Sequence, residues 1–259
     1  MDFICEAHLP DVYSYKIKKE ITVLPEKNKY DVLYNWFNTA QGCRVVEALC
    51  QELKFVANHV SGRRILQLGA CGDNDKLDVL RFRQRYIVSE SLNIKKVSTY
   101  ANFTNLPIER NSIDCVLAPF TMETYASNAS LIDEIDRIIN PHGFVIVFGI
   151  NPCSFWGLSA ILRLNSGFTK ESSYLRNSLT VKHAFLNRGY RQCLLHSFFY
   201  IPPFKNKKVI YSLDFLNEMG KMIWPYPASF YCFVAQKYDP CLPFVDGGQD
   251  EVSIADATF

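Results

Sequence analysis

From Asp31 onward the chain repeats apolar residues at helical intervals. Val32, Trp36 and Phe37 share one face, Gln41-Gly42 interrupts, and Val45, Val46, Leu49, Leu53, Val56 and Val60 then recur at three- and four-residue steps. Gly62 follows as a helix stop. Beyond it the pattern changes to short, nearly continuous apolar runs. Strands are predicted at Arg64 to Leu68, Tyr86 to Ser89, Lys96 to Tyr100, Cys115 to Ala118 and Phe144 to Gly149. A short helix is predicted at Leu77 to Arg83. A longer one runs from Leu131 to Ile139 and is closed by Asn140-Pro141-His142-Gly143. Strands that alternate with helices and are apolar on both faces indicate a parallel sheet covered on both sides. Right-handed crossovers narrow this to a doubly wound α/β fold. Two later runs, Gln192 to Ile201 and Ser229 to Ala235, complete the sheet. Between them lies a connection rich in Pro, Lys and aromatics, with a helix at Leu213 to Met222.

The ends of the chain read differently. Residues 1–30 mix Pro, Lys and Glu with few periodic apolar positions, and predict an extended arm with a short strand at Lys19 to Leu24. Residues 31–237 form the domain, and residues 238–259 read as a flexible acidic tail.

Composition changes this picture little. A hydrophobic share of 48% in 259 residues supplies an ample core for one domain. No apolar run approaches the ~18 residues that span a bilayer, and the first residues lack a secretory signal pattern. Nine cysteines at irregular spacing, without a CxxC pair, predict reduced thiols and a cytoplasmic protein. Five scattered histidines, with only Cys5 and His8 at ligand-like spacing, argue against a metal site. The net charge of +2 hides an asymmetry: residues 157–237 carry eleven Lys or Arg against three acids, and the tail carries five acids and no base. The basic stretch is either an anion-attracting surface or a solvated face balanced by the tail. No recognised nucleic-acid module is present.

In a doubly wound sheet the ligand sits outside the carboxyl ends of the strands. The first candidate segment there is Gln67-Leu68-Gly69-Ala70-Cys71-Gly72, where glycine lets backbone approach a ligand or take positive φ. The alternative is a plain tight turn. The second is Glu90, placed where a carboxylate grips a ribose hydroxyl pair, or else a surface glutamate. The third is Asn102-Phe103, whose amide suits an adenine edge or an Asx turn. The fourth is Pro119-Phe120 with Glu123 and Tyr125, followed by the loop from Asn151 to Trp156. Glu123 is the only carboxylate near the expected acceptor and is the candidate general base. It equally suits a helix N-terminus. A nicotinamide dehydrogenase is disfavoured, because the first strand–helix turn lacks Gly-x-Gly-x-x-Gly.

In order and spacing, the glycine turn, Leu106-Pro107-Ile108, Asp114-Cys115-Val116-Leu117 and Asn140-Pro141-His142-Gly143 resemble segments of the class I S-adenosylmethionine-dependent methyltransferases, type 11 group. A small bacterial methyltransferase-like branch is the closer match. It shares Trp36 with Gly42, Leu66-Gln67-Leu68-Gly69, Asn151-Pro152 with Ser154 and Trp156-Gly157-Leu158, and Trp224-Pro225. The resemblance implies a Rossmann-like, mostly parallel seven-stranded sheet with an N-terminal helical extension. Strand seven would lie antiparallel between five and six. It implies S-adenosyl-L-methionine as cofactor, held by Gln67, Gly69, Cys71, Gly72, Glu90, Asn102, Phe103 and Pro119, and an unidentified methyl acceptor, small or anionic. Gln67 stands where the group usually has Asp or Glu, Cys71 and Asp73 where it has glycines, and Phe120 where a histidine is frequent. The alternative implied by these departures is a methyltransferase-like binding or regulatory protein without activity.

Overall fold

The computed structural model describes residues 29–72, 79–94, 96–125, 127–162, 174–204, 206–220 and 227–238. The arm strand at Lys19 to Leu24, the acidic tail and Asp73 lie outside the described residues. Two helices come first, α1 (Lys29–Phe37) and α2 (Ala40–Val56). They are followed by β1 (Arg64–Leu68), β2 (Gln84–Ser89), β3 (Thr99–Tyr100) and β4 (Ile113–Pro119). Then come α3 (Ala129–Ile138), β5 (Ile139–Ile150), α4 (Phe155–Ile161), α5 (Ser178–Leu186) and β6 (Tyr190–Phe198). The chain continues with α6 (Lys207–Ser212), α7 (Phe215–Gly220) and β7 (Phe230–Lys237). The seven strands form one sheet in the order β3-β2-β1-β4-β5-β7-β6. β7 is antiparallel to both β5 and β6, and the other neighbouring pairs are parallel.

Why the strands read as unbroken apolar runs is visible in β5 and β7. Ile146, Phe148, Phe230 and Cys232 join the core under α1 and α2, whereas Val145, Val147, Tyr231 and Phe233 join the core under α3 and α5. Alternate side chains enter opposite cores, so no position along these strands can be polar without cost.

Several boundaries differ from the sequence reading. The break between the first helices falls at Asn38-Thr39, and Gln41-Gly42 lies inside α2. Thr39 is the cause: its Oγ1 accepts the Gly42 amide at 3.1 Å and caps the new helix. α2 stops at Val56, short of Val60. Residues 79–83 are turn and irregular chain rather than helix. Asn140-Pro141-His142-Gly143 does not precede β5 but is looped out inside it, between the pairs Ile113↔Ile139 and Cys115↔Phe144. Asp114 holds this bulge. Its Oδ1 accepts Asn140 Nδ2 at 2.6 Å, and its Oδ2 accepts the Arg63 and Arg64 amides. Of the helix expected at Leu213 to Met222, the described residues show the short α7; α6 is a separate helix before it, and Asp214 in the turn between them bonds to Arg44. The segment after β5 contains a helix, α4, capped by Ser154.

Candidate cofactor and acceptor site

The carboxyl ends of β1, β2, β3 and β4 meet at one edge. At the tip of β1, Gly69 has φ +88° and Gly72 has φ +57°, a backbone that side-chain-bearing residues adopt only under strain. The Gly69 amide donates to Val88 O at 2.8 Å, so the turn begins while still paired to β2. Gln67 supports it from below. This buried amide donates through Nε2 to Gly69 O at 2.8 Å and accepts Arg85 Nη2 at 2.6 Å. A carboxylate could accept from Arg85 but could not donate to the Gly69 carbonyl. Gln67 therefore acts on the turn rather than pointing at its open side. Cys71 contributes only backbone to the turn. Its side chain is buried in the core beneath α1 and α2, where burial pushes the thiol far above its ordinary range.

Glu90 extends from the tip of β2. Its Oε1 accepts the Phe103 amide at 2.8 Å and the Tyr125 hydroxyl, while its Oε2 takes no hydrogen bond among the described residues. Burial raises the Glu90 carboxyl above its ordinary value, against the two donors that lower it. Asn102, exposed just past β3, forms an Asx turn: its Oδ1 accepts Thr104 N at 2.9 Å and Thr104 Oγ1 at 2.7 Å. That turn presents the Phe103 amide to Glu90. Phe103 itself is buried, and Tyr30 packs edge-on against it at 4.9 Å.

Tyr30 is the residue the sequence did not reveal. It sits in the first turn of α1, with its ring 3.9 Å from the point where a Gly69 Cβ would stand. Its hydroxyl bonds to Thr124 Oγ1, which itself donates to Thr121 O at 2.7 Å. The next residue, Asp31, accepts Ser91 Oγ and Asn93 Nδ2 beyond the end of β2. α1 is thus pinned by polar contacts across the edge where β1, β2 and β4 end. Its only sequence trace is that Tyr30 adjoins the first residue of the helical pattern.

Pro119, the last residue of β4, is buried, and Phe120 takes a left-handed φ of +53°. That twist turns the chain into a single helical turn, Thr121–Glu123, which Thr121 Oγ1 ties to Leu68 O at 3.0 Å. The Phe120 ring packs between Phe37 and Phe230 in the core. Glu123 is fully buried. Its Oε1 accepts the Ile150 amide at 3.0 Å, its Oε2 has no partner among the described residues, and burial lifts its carboxyl to about 8. Gly149 makes this possible, since a Cβ there would strike both the Tyr231 hydroxyl and Glu123 Oε1. The Asn151 to Trp156 loop closes the edge. Asn151 Oδ1 accepts the Cys153 amide at 3.2 Å, and Trp156 donates to Ile201 O at 2.9 Å.

The structure therefore gathers Gln67, Gly69, Gly72, Glu90, Asn102, Phe103 and Pro119 at one sheet edge, with the Cys71 side chain turned into the core. Glu123 lies nearby, below the surface.

Residues 80–147 match the family model of the methyltransferase domain. No curated protein sequence matches the chain significantly. Among solved structures, the chain is similar to an S-adenosylmethionine-dependent methyltransferase from Archaeoglobus fulgidus, at 15% identity and TM-score 0.53, over 74% of this chain and 94% of that one. It is also similar to an S-adenosylmethionine-dependent methyltransferase from Thermotoga maritima, at 13% identity and TM-score 0.52, over 88% and 96% of the two chains. A third is phosphoethanolamine N-methyltransferase 2 from Haemonchus contortus, solved with S-adenosyl-L-methionine, at 15% identity and TM-score 0.54, over 83% of this chain and 61% of that one. The chain has the class I S-adenosylmethionine-dependent methyltransferase fold, and its residues 80–147 resemble the methyltransferase domain of the type 11 group.

Proposed function

We propose that this protein transfers a methyl group from S-adenosylmethionine to a small or anionic acceptor. The observation that carries this reading is Glu90: a carboxylate at the tip of β2, beside the left-handed Gly69 turn, with Oε2 unclaimed among the described residues. That oxygen suits a ribose hydroxyl, the side-chain-free Gly69 suits the methionine end, and Phe103 with the exposed Asn102 suits adenine. These residues fit the cofactor provided that the Tyr30 ring leaves Gly69. The bound cofactor supplies an activated methyl on a sulfonium. The protein's share is alignment, which in ideal cases contributes ~7–11 kcal/mol.

Glu123 is the candidate base for an acceptor that must lose a proton. At neutral pH its buried carboxyl holds a proton, so its action as a base belongs above pH of about 8. The second reading, a binding protein without activity, is favoured by Tyr30 covering the glycine turn. A reducing, cytoplasmic setting agrees with the free thiols at every described cysteine. No helix among the described residues is long and apolar enough to cross a membrane.

Calorimetric titration with S-adenosylmethionine and S-adenosylhomocysteine tests the proposal. Binding is expected in the parent and at least about tenfold weaker in Glu90→Gln, about 1.4 kcal/mol. Absence of heat at high protein concentration, in the parent and in a Tyr30→Ala variant alike, removes both the enzyme reading and the cofactor.

A further inference from the structure

The amino ends of β1, β2 and β4 form the sheet edge opposite Gly69 and Glu90, and arginines gather there. Arg63 and Arg64 open β1, Arg81 and Arg83 lead into β2, and Arg110 lies in the turn before β4; all five are exposed. The strand ladder fixes their proximity. Arg64 is the register partner of Gln84, and Arg63 O accepts the Gln84 amide at 2.9 Å. Arg63 and Arg83 therefore stand on neighbouring strand entries, their backbones ~5 Å apart. Arg64 Nη1 donates to Ser112 O at 3.3 Å, which brings the Arg110 turn beside it.

Elsewhere in the molecule Arg44, Arg137 and Arg188 each hold a carboxylate. None of the five rim arginines forms an ion pair among the described residues. Two acids lie among them. Asp114 engages both oxygens, with the Arg63 and Arg64 amides and with Asn140 Nδ2. Glu109 is exposed beside Arg110. Like charges that face each other across a ladder destabilise it, so Arg63 beside Arg83 gives the fold nothing. A polyanion outside the chain would reverse that.

The cations here are arginines, whose planar fork matches a phosphate with two parallel hydrogen bonds. Two rings lie among them. Tyr86 is exposed, and its hydroxyl shares Gln84 Oε1 with Arg64 Nε, at 3.4 and 3.3 Å. The edge of the Phe82 ring stands 2.9 Å from where a Gly62 Cβ would lie. Guanidinium groups interleaved with aromatic faces suit a flexible single strand, phosphates on the cations and bases on the rings.

We propose that this rim binds single-stranded nucleic acid through its phosphates, with Arg63, Arg64, Arg81 and Arg83 as contacts and Tyr86 as a stacking platform. β1 is five residues long, ~16 Å, so a strand held here leaves the Gly69 edge open. The binding stands apart from the methyl-transfer reading.

Fluorescence anisotropy of the full chain, with labelled dodecamers of U and of dT over a range of salt, tests the proposal. Saturable binding is expected, with a log–log salt slope of about −3 from four phosphate contacts at ~0.7 counterion each. Arg81→Gln with Arg83→Gln should weaken binding at least tenfold and bring the slope to about −1.5. Lys207→Gln with Lys208→Gln, in the basic C-terminal third, should change neither. Tyr86→Ala should weaken binding at least about fivefold at an unaltered slope, as loss of a stacked base does. No anisotropy change at low salt, which needs no variant to fold, overturns the proposal, as does undiminished binding by the paired arginine variant. Tighter binding of polyglutamate or of phosphatidylserine vesicles than of either dodecamer would assign the rim to a protein or a membrane and refute it too. Binding of one dodecamer alone upholds it and identifies the sugar.

Discussion

Gln67 shows what a single side chain can and cannot disclose. Its identity, an amide where an acid is usual, was plain in the chain, but its direction was not. It points into the sheet and holds Gly69 O with one end and Arg85 with the other. Gln67→Glu is therefore expected to destabilise the fold by about 1–3 kcal/mol, since it sets a carboxylate oxygen against a buried carbonyl. Urea unfolding measures this, and an unchanged midpoint would show that the turn does not need the donor. Cys71 teaches the same lesson: its position in the motif suggested the ligand side, yet sequence cannot say which face of a turn a side chain takes. Glu123 makes a pH-dependent prediction. Its folded carboxyl sits at about 8 against an ordinary 4.5, so across that window the folded state keeps a proton that the unfolded chain has released. Stability from this group is present at low pH and declines as pH rises toward 8. Glu123→Gln, which mimics the protonated form, should thus gain on the parent by on the order of 3 kcal/mol between pH 4.5 and pH 7. Parallel unfolding curves for the two proteins across that range would contradict the buried proton.

At the scale of elements, α1 carries the sharpest consequence. Its first turn is held over the glycine edge by the buried bond of Tyr30 to Thr124 and by Asp31 to Ser91 and Asn93, while Leu33, Trp36 and Phe37 anchor the helix in the core. The polar ties are worth ~1 kcal/mol each. Tyr30→Ala removes the ring above Gly69 and one of these ties. It should tighten S-adenosylhomocysteine binding about three- to tenfold if the ring competes with the cofactor. Weaker binding would instead make Tyr30 part of the cofactor's own wall, and calorimetry distinguishes the two. The helical period of α2 and the apolar runs of β1, β4 and β5 were legible because each element buries a whole face. The looped-out Asn140 to Gly143 and the break at Asp214 were not, because both depend on distant partners, Asp114 and Arg44. Local propensity reads Asn-Pro-His-Gly as a stop between elements, whereas the ladder to β4 continues on either side of it.

For the molecule as a whole, the strand order divides stability from function. β4, β5 and β7 lie inside the sheet with neighbours on both sides, and every residue of β7 from Phe230 to Ala235 is buried. β3 is two residues long at one edge, and the first turn of α1 lies over the ligand edge. Opening α1 exposes one apolar helix face, Leu33, Trp36 and Phe37, whereas opening β7 breaks two ladders at once. Native-state hydrogen exchange should therefore find the slowest amides in β5 and β7, exchanging only by global unfolding, and much faster amides in α1. Saturating S-adenosylhomocysteine adds about 2.7 kcal/mol at a hundredfold excess over its dissociation constant. That increment should slow the β5 and β7 amides by about a hundredfold. The α1 amides should slow as well if the helix closes again over the cofactor, or quicken if Tyr30 is expelled and the helix stays lifted. No change in either set at saturation would mean that the ligand does not engage the folded sheet, and the edge marked by Gly69 and Glu90 would lose its assigned role.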